Sequence, residues 1–588
     1  MCGLCGEIRF DHRQPDLGAI RAMADAMEPR GPDSGGVWSQ GAVALGHRRL
    51  KIIDLSDASQ QPMVDSALGL AGVYNGAIYN FRELRAELEA KGYRFFSQGD
   101  TEVLLKAYHA WGPEFVQRLN GMFAVVIVSR DTGEVFVARD RLGIKPLYYA
   151  EVDGGLRFAS SLPALVAGGG ISSDLDPVAL HHYMSFHAVV PAPHTMLKQV
   201  RKLPPAHTMR IHPDGRRELS EYWRPYFGTP AADQGLTFDD WKDRVHASLR
   251  QAVDRRLVAD VPVGVLLSGG LDSSLIVGLL HEAGQTGLQT FSVGFESVGD
   301  MEGDEFKYSK IVADRFNTDH HKLFIESERM LRELPNAVAA MSEPMVSHDV
   351  VGFYLLSQAV SKHVKVVQSG QGADEVFAGY HWYPPMLEST DPVGDYAKVF
   401  FDRDQAGMAK ALNPQWLGED YSRAFVEAHF ARTGATRPID QTLRMDTQIM
   451  LVDDPVKRVD NMTMAWGLEA RVPFLDHELV ELAAQVPAEH KVPGKHILKE
   501  IAREVIPHEV IDRPKGYFPV PALKYIQGPV KTMVQDILSQ PAARERALFR
   551  QDYLDTLLAS PEDHITPLGG SELWQCALLE FWLQSHKL

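Results

Sequence analysis

The sequence predicts an α/β and α+β protein built in two unequal parts, on three observations. Over residues 2–212 short apolar strands greatly outnumber helical stretches, which points to stacked sheets covered by helices. Over 241–588 apolar runs alternate with helical periodicity, the pattern of a mostly parallel sheet with a helical C-terminal portion. Between them, 213–240 turns to Asp, Gly, Thr, Pro and Gln and reads as a linker. At 588 residues the chain is long enough for two or more domains.

In chain order, apolar strands are expected within 4–10, 43–55, 71–75, 123–128, 134–138 and 147–159. Amphipathic helices are expected over 16–27 and, with interruptions, 82–110. Asn75-Gly76 carries the strongest hairpin signal a dipeptide can give, so ordinary turn chemistry accounts for it as readily as a functional role. In the second part, Val263–Leu267, Thr290–Phe295, Asp319–Ile325 and Val364–Gln368 read as strands. Helices are expected over Leu271–Leu280, 305–316 and 350–362. Ligands of such a sheet sit beyond the carboxyl ends of its strands, where Ser268–Ser274 and Ser369–Glu375 should converge.

Composition excludes several classes. The net charge of −17 and the lack of a long basic block disfavour a nucleic-acid partner. No apolar run reaches the length of a membrane span, and no signal-peptide pattern opens the chain, so no membrane is expected. The only cysteines are Cys2, Cys5 and Cys576; this is no disulfide scaffold, and a cytoplasmic location is expected.

Two stretches carry chemistry. Ser268-Gly269-Gly270-Leu271-Asp272-Ser273-Ser274 joins a strand to a helix through glycines, so backbone N–H groups and a helix N-terminus can face one anion. Asp272 beside it suits a magnesium ion, although the same spacing fits any tight strand–helix turn. At the other end, removal of Met1 would leave Cys2 first, with thiol nucleophile and α-amine base in one residue. A buried cysteine that happens to stand second is the alternative.

Cys2-Gly3, Arg30-Gly31-Pro32-Asp33, Arg49-Leu50, Asn75-Gly76 and Gly99-Asp100, in that order, resemble the glutaminase domain of the class II amidotransferases, N-terminal nucleophile hydrolases with an αββα sandwich. The whole chain resembles the glutamine-hydrolysing asparagine synthetases, with 377–440 matched only loosely. The resemblance implies that Cys2 attacks the glutamine amide, Asn75 and Gly76 form the oxyanion hole, Arg49 grips the α-carboxylate and Asp100 the α-amine. An oxyanion wants fixed neutral donors and a carboxylate a guanidinium fork, so the residue types suit these roles. Ser268–Ser273 resembles the pyrophosphate loop of the ATP-pyrophosphatases, extended by Ser274. By the same resemblance Val293 passes the adenine of ATP, while Ser369, Gly370, Gly372 and Asp374 close over the phosphates. Asp272 and Asp374 would hold Mg2+, Gln371 would face the acceptor, and Lys515, in Arg513-Pro514-Lys515, would neutralise charge on the α-phosphate. Lys499 is a lesser candidate. Several relatives form dimers, so a homodimer is implied.

Three places depart from the family. It usually carries Glu after Asn-Gly, where this chain has Ala77, and Ser-Gly-Glu-Gly where this chain has Ser369-Gly370-Gln371-Gly372. Ser347-His348-Asp349 also stands where Asp-Pro-Ser is usual. Together with His381-Trp382-Tyr383-Pro384-Pro385, these departures resemble the N-acetylglutaminylglutamine amidotransferases, so the expected acceptor is that capped dipeptide, with aspartate as the alternative. Trp382 and Tyr383 either line a roomier acceptor pocket or belong to a core. Other classes fit less well: a glutaminase with a dead synthetase half, an interaction protein, a β-lactam synthetase without the N-terminal nucleophile, or a tRNA-modifying enzyme with a basic face.

Overall fold

The computed structural model describes residues 2–295, 305–513 and 526–588. Its N-terminal portion begins with β1 (Cys2–Arg9), β2 (Ser34–Gln40), β3 (Val43–Arg49), β4 (Met63–Asp65), β5 (Leu70–Ile78) and β6 (Gly121–Ser129). It continues with β7 (Val135–Arg139), β8 (Tyr148–Val152), β9 (Gly155–Ala159), β10 (Val200–Lys202), β11 (His207–Ile211) and β12 (Arg217–Glu221). These form two six-stranded sheets, ordered β10-β8-β9-β1-β3-β2 and β12-β11-β7-β6-β5-β4. The pairs are antiparallel.

Side-chain alternation stacks the sheets. Leu4 and Ile8 of β1 and Val43 and Leu45 of β3 pack with Ala71 and Val73 of β5 and Ala124, Val126 and Val128 of β6. The opposite faces take helices: Cys5 packs with Ile20 and Met23 of the helix Leu17–Ala26, while Tyr74, Val125 and Ile127 pack with Leu84, Leu88 and Leu104. The continuous apolar run of β6 follows from this, since both its faces are covered.

Two expectations are corrected here. Asn75-Gly76 is no hairpin turn, because both residues lie inside β5, opposite Ala124 and Phe123. A Cβ on Gly76 would stand 2.1 Å from the Met122 carbonyl oxygen, so close strand packing, not a turn, requires the glycine. The range 213–240 is not all linker, because β12 pairs with β11 along its length. Arg217, Glu218, Ser220 and Glu221 read as coil since β12 is an exposed edge strand.

The second portion opens at Thr237, whose capping box with Asp240 starts the helix Phe238–Arg255. Strands β13 (Val263–Leu266), β14 (Gln289–Phe295), β15 (Asp319–Ile325), β16 (Val366–Gln368) and β17 (Glu469–Arg471) form a parallel sheet ordered β15-β14-β13-β16-β17. The chain runs outward one way from β13 to β15 and the other way from β16 to β17, which puts the switch point between β13 and β16. Hydrophobicity hides β17: its two charges are buried and paired, Arg471 Nε to Glu469 Oε1 at 2.6 Å.

Buried ion pairs tie the portions together. Lys202 reaches Asp453 at 2.6 Å and Glu343 at 3.0 Å, while Asp460 takes Arg30 at 2.9 Å and Lys145 at 3.2 Å. Among the described residues no helix is long and apolar enough to cross a membrane. Cys2, Cys5 and Cys576 are buried and free.

Candidate functional site

Alternation along β1 and β5 explains the first site. Cys2 shares the inward parity of Leu4, and Asn75 that of Val73, so the two meet at one end of the inter-sheet layer. The Cys2 backbone nitrogen donates to Asn75 Oδ1 at 3.0 Å, while Asn75 Nδ2, fully buried, has no partner. A neutral N–H donor thus stands ready beside the thiol. Burial pushes that thiol above its usual pKa, so it is protonated until a base takes the proton.

The small cavity at Cys2 is lined by Arg49, Gln61, Tyr74, Gly76, Ala77 and Asp100, with Glu469 from the second portion. Asp100 accepts from the Tyr74 hydroxyl at 3.0 Å and from the Ile78 nitrogen at 3.1 Å. Burial raises it to about 6, against the lowering effect of those donors. Arg49 is buried and donates to the carbonyls of Ser56, at 2.8 Å, and Asp54. Ala77, 1% exposed, brings no carboxylate of its own to this wall, whose acidic side chains are Asp100 and Glu469.

The second site lies at the switch point, as the topology requires. A cavity of about 240 Å³ is lined by Ser268, Asp272 and Ser273 after β13, Val293 on β14, and Ser369, Gly370, Gln371 and Asp374 after β16. Gly269 has φ of +76°, and a Cβ there would stand 2.4 Å from the Ser309 nitrogen. Within the loop Ser268 Oγ lies 3.0 Å from Ser273 Oγ and accepts from the Gly270 nitrogen at 3.3 Å. Gly269, Gly270, Ser274 and Gly372 are not in the lining: Ser274 is buried within its helix, and Gly372, at φ +92°, lets the chain pass Leu475. Lys515 lies outside the described residues.

One residue was missed by sequence reasoning. Lys495 Nζ bridges Asp272 at 2.7 Å and Asp374 at 3.0 Å. Burial alone would lower its pKa, but the two carboxylates outweigh that and raise it. The ammonium therefore marks where a cation is wanted. Two hard oxygen donors converging on one positive centre fit a magnesium ion that takes its other ligands from phosphates and water. The only signal was Pro493-Gly494 before an amphipathic helix, which puts Lys495 at its N-cap with φ of +63°.

The acceptor-side residues separate. Asp349 lines the second cavity and is held by Arg458 at 2.9 Å. Trp382 and Tyr383 belong to a core: both donate to the Asp446 carboxylate, at 3.0 and 2.7 Å, beside Tyr396 and Phe400. A third, narrow cavity is walled by Tyr148, Lys202, Asp453, Lys457 and Asp460.

Two family models match the chain. The model described as asparagine synthase covers residues 244–584, and the glutamine amidotransferase domain covers 1–223. Asparagine synthetase [glutamine-hydrolyzing] 1 of Bacillus subtilis is 31% identical, across 96% of this chain and 93% of its own length. A putative asparagine synthetase [glutamine-hydrolyzing] of Mycobacterium tuberculosis is 34% identical, across 87% of this chain and 85% of its own. Among solved structures, the Bacillus subtilis glutamine phosphoribosylpyrophosphate amidotransferase complexed with ADP and GMP is similar over 56% of this chain and 92% of its own. At 14% identity and a TM-score of 0.32 it is too distant to bear on fold or function.

Proposed function

The chain belongs to the glutamine-hydrolysing asparagine synthetase family, and from that premise we propose which residues run its two half-reactions and which carboxylate it amidates. The reaction class itself is that of the family: an ATP-dependent, glutamine-hydrolysing amidotransferase that forms a carbon–nitrogen bond.

In the first half-reaction, with Met1 removed, the Cys2 α-amine takes the thiol proton and the sulfur attacks the side-chain amide carbon of glutamine. The negative oxygen that forms is held by Asn75 Nδ2 and the Gly76 amide. The protonated α-amine returns that proton to the amide nitrogen, which leaves as ammonia, and water releases glutamate from the thioester. The observation that carries this reading is the Cys2–Asn75 contact with its unpartnered amide nitrogen. Arg49 and Asp100 hold the α-carboxylate and α-amine, for which Arg49 gives up its carbonyl partners. This assignment makes residues 2–221 an N-terminal nucleophile hydrolase domain, joined by 222–236 to the synthetase domain.

In the second, the acceptor carboxylate attacks the α-phosphorus of ATP and pyrophosphate leaves. Ammonia then adds to the acyl carbon and AMP departs with the bonding pair. Ser268, Ser273, Ser369 and Gly370 orient the phosphates and Val293 flanks the adenine. Asp272 and Asp374 would hold magnesium, which neutralises phosphate charge when bound. Lys515 takes the charge at the α-phosphate. Ammonia crosses between the sites within protein, escaping protonation in bulk water. Free buried cysteines support a reducing, cytoplasmic setting.

Aspartate is the better-supported acceptor, because the relatives that align over nearly the whole chain are named asparagine synthetases. The burial of Trp382 and Tyr383 also removes one argument for a roomier pocket. A second reading, the capped dipeptide N-acetylglutaminylglutamine, rests on Gln371 in the cavity wall, since an amide cannot take a proton from attacking ammonia. Pyrophosphate release with ATP, magnesium and glutamine, aspartate against the dipeptide, decides between them, with the amide product verified by mass. Release with neither would sink the adenylation scheme.

A further inference from the structure

A cavity of about 380 Å³ lies at the junction of the two portions, apart from the pockets described above. That is the small end of the range for ligand pockets. Arg141, Pro205 and Trp223 contribute one side, and Phe425, His429 and Val452 of the helical portion the other.

Arg141 is 7% exposed. Its terminal nitrogens donate to the carbonyls of Leu119 at 2.6 Å and Gln117 at 2.8 Å, while Nε has no partner. No ion pair to Arg141 occurs among the described residues. The neighbouring Arg139 differs, with all three nitrogens on carbonyls. Carbonyl dipoles offset part of the cost of burying the Arg141 charge, and an anion would supply the rest.

The other charged groups in the wall are already neutralised: Arg432 faces Glu221 at 3.2 Å and Asp453 holds Lys202 at 2.6 Å. His429 is buried, with Nε2 unpartnered; burial lowers its pKa to about 3, so it adds hydrogen-bonding capacity without charge. The uncompensated charge of the wall is therefore positive and its remaining surface largely apolar and aromatic.

We propose that this cavity binds a small organic carboxylate with a flat apolar body, Arg141 facing the carboxylate and Trp223 and Phe425 the body. Val452 and Asp453 line this cavity and also the narrow one beside Asp460, so an occupant touches the partition between the two. Both residues stand on the π-helical turn Val452–Val456, a geometry that recurs at functional positions.

The test titrates phenylacetate, and its neutral isostere phenylacetamide, into the intact protein without ATP or glutamine, by calorimetry. One phenylacetate per chain is expected, with the amide at least about tenfold weaker. Ala428→Trp fills the rim from an exposed position and should abolish binding without changing the melting temperature; Arg141→Leu should remove the preference for the acid. Absence of saturable binding, equal affinity for acid and amide, or binding that survives Ala428→Trp would overturn the proposal.

Discussion

Asn75 accepts a hydrogen bond from the backbone nitrogen of Cys2 through its amide oxygen and leaves its amide nitrogen unpartnered in a buried site. The first contact fixes which way the amide is turned, and the second leaves a donor open for the oxygen that gains charge in the proposed glutamine hydrolysis. Asn75→Ala should therefore lower glutamine hydrolysis by about 10² to 10³ while leaving amidation from free ammonia near wild type. Cys2→Ala should abolish the first activity and spare the second. Loss of ammonia-dependent activity in properly folded variants would mean that the division of labour is wrong.

The pH dependence of glutamine use should follow Asp100. Burial raises this carboxyl to about 6, so it is charged at pH 7.5 and takes up a proton as pH falls through 6. A neutral Asp100 cannot hold the ammonium of glutamine. KM for glutamine should rise toward tenfold per pH unit below about 6. Tyr74→Phe removes a bond that holds the pKa down, so the rise should begin at higher pH. A KM profile flat from pH 8 to 5 would exclude Asp100 as an amine ligand.

Lys495 predicts an effect in the resting protein as well as in catalysis. Lys495→Met leaves Asp272 and Asp374 facing each other without their shared ammonium. The expected loss is about 2 to 3 kcal/mol, below the figure for fully buried pairs because both carboxylates keep some solvent contact. Magnesium should restore part of it. Melting temperatures with and without magnesium, wild type beside variant, provide the measurement.

Gln371→Glu restores the usual family residue at the wall of the second cavity. With aspartate as acceptor it should raise amide formation severalfold while pyrophosphate release changes little, since only the ammonia step gains a base. No change in the ratio of amide to pyrophosphate would show that another group takes that proton.

Much of the site was legible because its chemistry is written in contiguous residues. Cys2, Asn75-Gly76 and the two serine-glycine loops are local, and the parallel sheet brings the loops together by topology alone. What was not legible depended on distant partners. Lys495 acquires meaning only from carboxylates on two other loops. For Trp382 and Tyr383 pocket and core stayed equally open in the sequence, because nothing nearby announces Asp446, the carboxylate that anchors them in the core. Strands β12 and β17 are missed by any hydrophobic reading, one because it is an exposed edge, the other because its charges neutralise each other.

The carboxylate of Asp460 is shared by Arg30 and Lys145, from the other portion of the chain, in a setting closed to water. Severing the polypeptide between 222 and 236 would therefore not yield two free halves. Each fragment would expose the apolar surface that packs across this contact around the charge cluster, so a nicked molecule would migrate as a single particle. Expressed separately, the halves would be poorly soluble until they met, which makes synthesis as one polypeptide a folding requirement.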